Sequence, residues 1–307
     1  MKIFSLRFIV PLLFIVMSVA AQESSLYDGQ FKQIAGEFGG RLGVAAKDIS
    51  SGETILFNAD TLFPTASVIK LPVFVELFYK FQDGELSPHQ PVVLIDSLKK
   101  PGSGVLQYLH GNQSLQLLDI ATLMIILSDN TATNYVIDQL ALQHDDKLES
   151  VNSRMRSLGL RNTKLLNKLY SFATKKKTEE ARRFGIGVSS PLDMMMLLEK
   201  MAKGEMISKE VCDSMIGIMR GQFYLEGAAR WLPFMEDSTL WIANKTGSLD
   251  DRKIDVGIVS SSGGTYVYAI FCDESKDLGE QMDNKATLAV AKVSRLLYDR
   301  FMKKVLR

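Results

Sequence analysis

Three short motifs stand in a fixed order along this chain of 307 residues: Ser67-Val68-Ile69-Lys70, Ser128-Asp129-Asn130 and Lys245-Thr246-Gly247. Together they supply a serine nucleophile, two amines, a second hydroxyl and a side-chain amide. That is the inventory for acyl transfer through a covalent serine ester, run by lysine rather than histidine. Each motif alone arises by chance in long proteins. The order of all three, and the setting of each, gives them weight.

Ser67 follows Thr65-Ala66, where a helix is expected to begin, and Lys70 at i+3 faces the same way. The helix N-terminus points partial positive charge at the serine, which favours a developing oxyanion. Lysine takes a serine proton only if its pKa is lowered, and burial beside a second cation, for which Lys245 is the candidate, would lower it. A helix cap followed by a solvated lysine is the bland alternative. Leu71, Val73, Phe74, Val75, Leu77 and Phe78 argue against it, because they make the helix apolar nearly all round. Ser128-Asp129-Asn130 lies between two helical runs, where Ser and Asn ordinarily cap. The apolar stretch 123–127 before it plants the turn deep, so its polar side chains must find partners. Lys245-Thr246-Gly247 ends a strand beginning at Leu240, so the lysine is expected to leave the sheet edge toward a cleft. Gly247 would let a ligand approach the backbone closely.

The elements that must hold these residues follow from periodicity. Residues 25–38 read as an amphipathic helix, followed by a hairpin of strands over 42–47 and 54–58. Stretches 240–245, 254–260 and 266–272 read as strands, with Ser261-Ser262-Gly263-Gly264 as a turn, and a helix over 283–304 closes the chain. Between these ends, 68–81, 115–127, 131–142, 148–158, 191–202 and 209–219 read as helices. The pattern predicts an α/β (α+β) fold: an antiparallel sheet flanked by helices, interrupted by an all-helical subdomain. The expected division is 22–61 plus 209–307 for the α/β part and 62–208 for the helical part, with the active site between them. Residues 164–185 form one long irregular stretch rich in Lys and Arg, a kind of loop that is often functional.

Residues 1–21 read as a signal peptide: Lys2 and Arg7, an apolar run over 8–19, then Ser18-Val19-Ala20-Ala21 before a cleavage site. Retention as an uncleaved anchor is the alternative. Cleavage leaves 34 basic against 35 acidic residues, so charge gives no case for nucleic acid or for anionic membrane as partner. The expected localisation is exported, periplasmic or secreted, with membrane contact only through the signal segment, and as a monomer. His89, His110 and His144 lack metal-ligand spacing, so no metal and no cofactor are expected. Cys212 and Cys272 could pair in an exported protein, but two buried free thiols are the expectation.

With these residues in place, the chain resembles the class A β-lactamases and the wider penicillin-recognising serine hydrolases. The likeness runs from the opening hairpin to the C-terminal helix. Lesser echoes are Gly102-Ser103-Gly104-Val105-Leu106 and Ser189-Ser190-Pro191. The resemblance implies roles position by position. Ser67 would be acylated and Lys70 would be its proton partner, while Ser128 would shuttle a proton to the leaving nitrogen. Asn130 would hold the substrate amide, and Lys245 and Thr246 would receive its carboxylate. The backbone N–H groups of Ser67 and Ser248, the latter just past Gly247, would form the oxyanion hole. Asp129 would be structural.

One part of the family pattern is absent. Class A enzymes hydrolyse the acyl-enzyme with a glutamate in a Glu-x-x-Leu-Asn setting, and no such motif occurs here. Counting forward from Thr163-Lys164-Leu165 places Leu169 near that glutamate's position, and counting back from Pro191 lands at Thr174 and Lys175. Glu179 and Glu180 share the loop without the motif and read as solvated partners of nearby lysines, or as substitutes for the base. Lys175-Lys176-Lys177 reads as a solvated loop, with attraction of an anionic substrate as the alternative. The implied substrate is a small-molecule β-lactam. The alternatives are a D-alanyl-D-alanine peptidase acting on a peptidoglycan-like peptide, another amidase or esterase, or a protein that binds β-lactams without turnover.

Overall fold

The computed structural model describes residues 27–141, 144–170 and 178–303. The expected signal segment and Lys175-Lys176-Lys177 lie outside them, as does Thr174. Among the described residues no helix is long and apolar enough to cross a membrane.

A helix over 27–38 (α1) leads into β1 (Arg41–Asp48) and β2 (Thr54–Phe57). Asp48 shapes the turn between these strands by accepting the backbone N–H and hydroxyl groups of Ser50 and Ser51. After β3 (Phe63–Pro64), a 3-10 turn over Ala66–Ile69 runs into α2 (Lys70–Gln82). Two short strands, β4 (Pro91–Val93) and β5 (Ser114–Gln116), precede α3 (Leu117–Ile126), α4 (Asn130–Gln139) and α5 (His144–Ser157). The stretch expected to be irregular carries β6 (Lys164–Leu165) and α6 (Glu179–Phe184), the latter capped by Thr178. Then come β7 (Gly187–Ser189), α7 (Pro191–Ala202) and α8 (Lys209–Met219). The chain ends in β8 (Trp241–Leu249), β9 (Arg252–Ser261), β10 (Gly264–Asp273) and α9 (Lys285–Phe301).

The large sheet has the antiparallel order β2-β1-β10-β9-β8, so strands from the two ends of the chain meet at β1 and β10. Both faces are covered. Tyr266, Tyr268, Ile270 and Cys272 face a core shared with Phe31, Phe38, Val290 and Leu297 of α1 and α9. Val267, Ala269 and Phe271 face the other core, with Phe74 of α2 and Met194 and Leu198 of α7. This period of two explains why β10 reads as an unbroken apolar run. It also separates the cysteines: Cys212 and Cys272 lie in cores on opposite faces, and both are free and buried.

One boundary differs from the sequence expectation in a way that matters. The strand carrying Lys245 does not end there. Ser248 pairs with Lys253 and Leu249 with Arg252, so β8 runs on to a tight hairpin and the Lys-Thr-Gly motif sits inside the strand. The polar residues Thr246 and Ser248 mask this from periodicity, yet they are tolerated because β8 is the sheet's outer edge.

The helix carrying Lys70 is pinned by an ion pair. Buried Glu76 of α2 accepts hydrogen bonds from Arg154 Nε (2.8 Å) and Ser150 Oγ (2.6 Å) of α5. Arg154 also stacks on Tyr79, 3.8 Å from its ring centre. Removing Glu76 takes away two bonds to α5 and leaves the half-buried Arg154 without its main partner. Glu76→Ala should therefore destabilise the fold by about 2 kcal/mol. Urea unfolding with an unchanged m-value would read this as a shifted midpoint.

Candidate active site

Ser67 sits in the 3-10 turn rather than on the first turn of the α-helix, which begins at Lys70. Ala66, just before it, has φ +43°, a left-handed conformation that a residue with a side chain adopts at a cost. The shift leaves the Ser67 N–H among the first amides of a helical turn, which have no carbonyl partner within the turn. The outer strand lies directly against this spot. A Cβ placed on Gly247 would stand 3.2 Å from Ser67 N and 2.9 Å from Thr65 O, so only glycine lets β8 come this close.

Lys70 and Lys245 are both wholly buried and converge on one hydroxyl. Lys70 Nζ contacts the Ser128 carbonyl, Ser128 Oγ (3.1 Å) and Asn130 Oδ1 (2.8 Å). Lys245 Nζ reaches the same Ser128 Oγ (3.1 Å) and the Thr246 carbonyl (2.7 Å). Burial drives the Lys70 pKa well below its ordinary value and the neighbouring Lys245 charge drives it further, against the opposing pull of Asp129. Burial lowers Lys245 to about 7, with the Asp255 carboxylate acting in the opposite sense. When Lys70 is neutral, its lone pair can accept the Ser128 hydroxyl proton while Lys245 donates to the same oxygen. The arrangement is thus a directional proton path between two amines.

The Ser128-Asp129-Asn130 turn is held from several sides. Asp129, not Ser128 or Asn130, caps α4: its Oδ1 accepts Ala132 N (2.8 Å), and its Oδ2 accepts Val105 N (2.7 Å) and Leu106 N (2.8 Å). Asp129 is therefore structural, as expected. Gly104 has φ +100°, and a Cβ there would strike the Asp129 carboxylate at 2.2 Å. Asn130 gives one amide N–H to Pro101 O (2.9 Å). Ser128 itself has φ +52°, a second strained residue at the centre of the site.

The backbone of β8 also faces the site. In an antiparallel strand the N–H and C=O of alternate residues point to the same side. The carbonyls of Asn244 and Thr246 accept bonds from Gln222 and Lys245 side chains. Residues 244, 246 and 248 therefore direct their backbone outward, away from β9. The Ser248 N–H belongs to that set. Ser248 Oγ is exposed and accepts a bond from Lys253 Nζ (2.7 Å).

Three supporting residues were not singled out from the sequence. Gln222 Nε2 bridges Asn244 O of β8 (3.3 Å) and Ile125 O of α3 (3.2 Å), tying the Lys245 strand to the helix before Ser128. Asp255, buried opposite Thr246, accepts Asn244 Nδ2 (2.9 Å), the Tyr268 hydroxyl (2.8 Å) and Ala228 N (3.0 Å). Burial raises its pKa to about 6 despite those bonds. A charge inside an apolar strand was the available signal for it. Asn134 of α4 clamps both backbone groups of Leu169, donating to its carbonyl (2.8 Å) and accepting its N–H (3.0 Å). Nothing local marks Asn134, because its partner lies 35 residues away. Glu180 pairs with Lys164 (2.8 Å) on the exposed α6, as a solvated partner should, and neither it nor Glu179 bonds a residue of the site among the described residues.

A model of the Beta-lactamase enzyme family matches residues 27–301. Beta-lactamase SME-1 of Serratia marcescens is 27% identical over 171 residues, 52% of this chain and 52% of its own, so the chain spans about half the length of that relative. Among solved structures, a β-lactamase from Sphaerobacter thermophilus superposes with a TM-score of 0.76 at 29% identity, covering 87% of this chain and 95% of that one. A leucine-to-glutamate mutant of PBP-A, solved as an acyl-enzyme complex with penicillin G, superposes with a TM-score of 0.77 at 27% identity, covering 91% and 97%.

The lowered lysines make stability depend on pH. Between about 7 and 10.5 the unfolded chain holds a proton on Lys245 that the folded chain releases, so stability rises with pH across this window. The melting temperature should therefore increase from about pH 7 to pH 9, and Lys245→Met should flatten the rise. Equal slopes for the two proteins would contradict the shift.

Proposed function

Because the chain belongs to the Beta-lactamase enzyme family, we propose that it is an exported, monomeric serine hydrolase whose Ser67 is acylated by β-lactams. The observation that carries this reading is the shared contact of Lys70 and Lys245 with the Ser128 hydroxyl. Neutral Lys70 takes the Ser67 proton as Ser67 Oγ attacks the β-lactam carbonyl. The developing oxyanion lies between the N–H groups of Ser67 and Ser248. Ser128 then delivers a proton to the leaving ring nitrogen and is reprotonated from the lysine pair. Lys245, with Thr246, receives the ligand carboxylate, which restores charge to an amine that burial had brought to about 7. The second Asn130 N–H binds the ligand's amide.

The fate of the ester is decided at Leu169. Asn134 holds this backbone by two bonds, yet the side chain is a hydrocarbon and cannot activate water. The same feature favours a second reading: a slow-turnover enzyme of the D-alanyl-D-alanine peptidase kind, in which Lys70 serves both acylation and deacylation. The likeness to PBP-A, whose leucine-to-glutamate mutant was solved as a penicillin G acyl-enzyme, supports acylation under either reading.

Intact-mass measurement after mixing with benzylpenicillin should show one covalent adduct on Ser67, absent from Ser67→Ala. Hydrolysis persisting in Ser67→Ala would refute every serine mechanism here. A general base contributes about 10²–10⁴-fold, so Leu169→Glu should shorten the lifetime of the adduct by about a hundredfold. An unaltered lifetime would show that position 169 does not serve the ester.

A further inference from the structure

Beyond the motifs, one residue beside the site has a conformation and placement that packing does not account for. Tyr170 follows the clamped Leu169 and has φ +46°, a left-handed conformation that is strained for a bulky side chain. Burial does not offset this, since Tyr170 is 60% exposed. Its hydroxyl has no hydrogen-bond partner among the described residues. The strained turn aims that hydroxyl at the Gly102 loop. A Cβ built on Gly102 would stand 3.4 Å from Tyr170 Oη and 2.8 Å from Asn130 Nδ2. Gly102, with φ +92° and no side chain, therefore lets the Asn130 amide and the Tyr170 hydroxyl both lie close to its α-carbon.

Both groups have unspent hydrogen-bonding capacity. Asn130 uses its oxygen on Lys70 and one N–H on Pro101, leaving a second N–H. Tyr170 can either donate or accept. A donor and a donor-acceptor side by side at Gly102 match a carboxamide, which offers one C=O and one N–H in a plane. We infer that Tyr170 is a specificity-determining residue: together with Asn130 it reads the carboxamide of an acyl substituent on the ligand bound for Ser67. The chemical class is an N-acylated β-lactam or N-acyl peptide, as against one with a free amine. This inference rests on the acylation of Ser67 proposed above.

The ratio of second-order acylation constants for benzylpenicillin and for 6-aminopenicillanic acid, which lacks the acyl carboxamide, tests it. One hydrogen bond contributes about 0.5–1.5 kcal/mol, so Tyr170→Phe should lower that ratio by about three- to tenfold. A general structural defect would slow both ligands and leave the ratio in place, and an unchanged ratio overturns the inference. The same pair of ligands titrated calorimetrically into Ser67→Ala, with and without Tyr170→Phe, reads recognition apart from chemistry. If the wild-type protein forms no adduct with either ligand, the acylation reading falls. The affinity ratio in the Ser67→Ala background then decides the role of Tyr170 by itself.

Discussion

Two buried lysine amines sharing one serine hydroxyl is the constraint around which the rest of the structure is arranged. Amines this close, out of water, repel when both are charged, and their burial is unfavourable until one proton leaves. The contact survives only because each partner is held by something stronger than the repulsion. Lys70 is carried on a helix packed in the core and tied to α5 through Glu76 and Arg154. Ser128 is fixed by the Asp129 cap and by the glycine loop wrapped over it. Lys245 lies on an edge strand braced by Gln222 and by the buried Asp255 network.

The cost of this arrangement shows in the backbone. Ala66, Ser128 and Tyr170, all bearing side chains, take left-handed conformations, and each adjoins or belongs to the site. Strain of this kind persists only where the surrounding packing over-determines it. Here the sheet supplies that rigidity, with tight cores on both faces. The resulting site is unfavourable for stability and favourable for chemistry, a trade that enzymes commonly make.

Much of this was legible in the residues. The helices over 191–202 and 209–219 followed from periodicity and composition, and the β-strands from apolar runs between turns. Lys70 was readable as buried because its helix is apolar nearly all round. The misreadings share one cause, which is that local pattern does not know its neighbours. Polar Thr246 and Ser248 looked like the end of a strand, yet cross-strand pairing with Arg252 and Lys253 extends it. Ser67 looked like a helix start, yet the close approach of Gly247 and the left-handed Ala66 set it in a 3-10 turn.

The sequence by itself determined the chemical inventory and its gap: a serine, two lysines, an amide, and no Glu-x-x-Leu-Asn motif in the loop that should carry one. Residue type is sufficient for that, because only certain side chains can attack, accept a proton or bear charge. The tertiary structure alone decided that the two amines meet on Ser128, since Lys70 lies 58 residues before it and Lys245 lies 117 residues after it. It alone decided that Asn134 presents Leu169, and that Tyr170 and Asn130 lie together at Gly102. Distances between side chains arise from packing of the whole chain, and the pKa shifts that make lysine a base exist only once burial has removed the water.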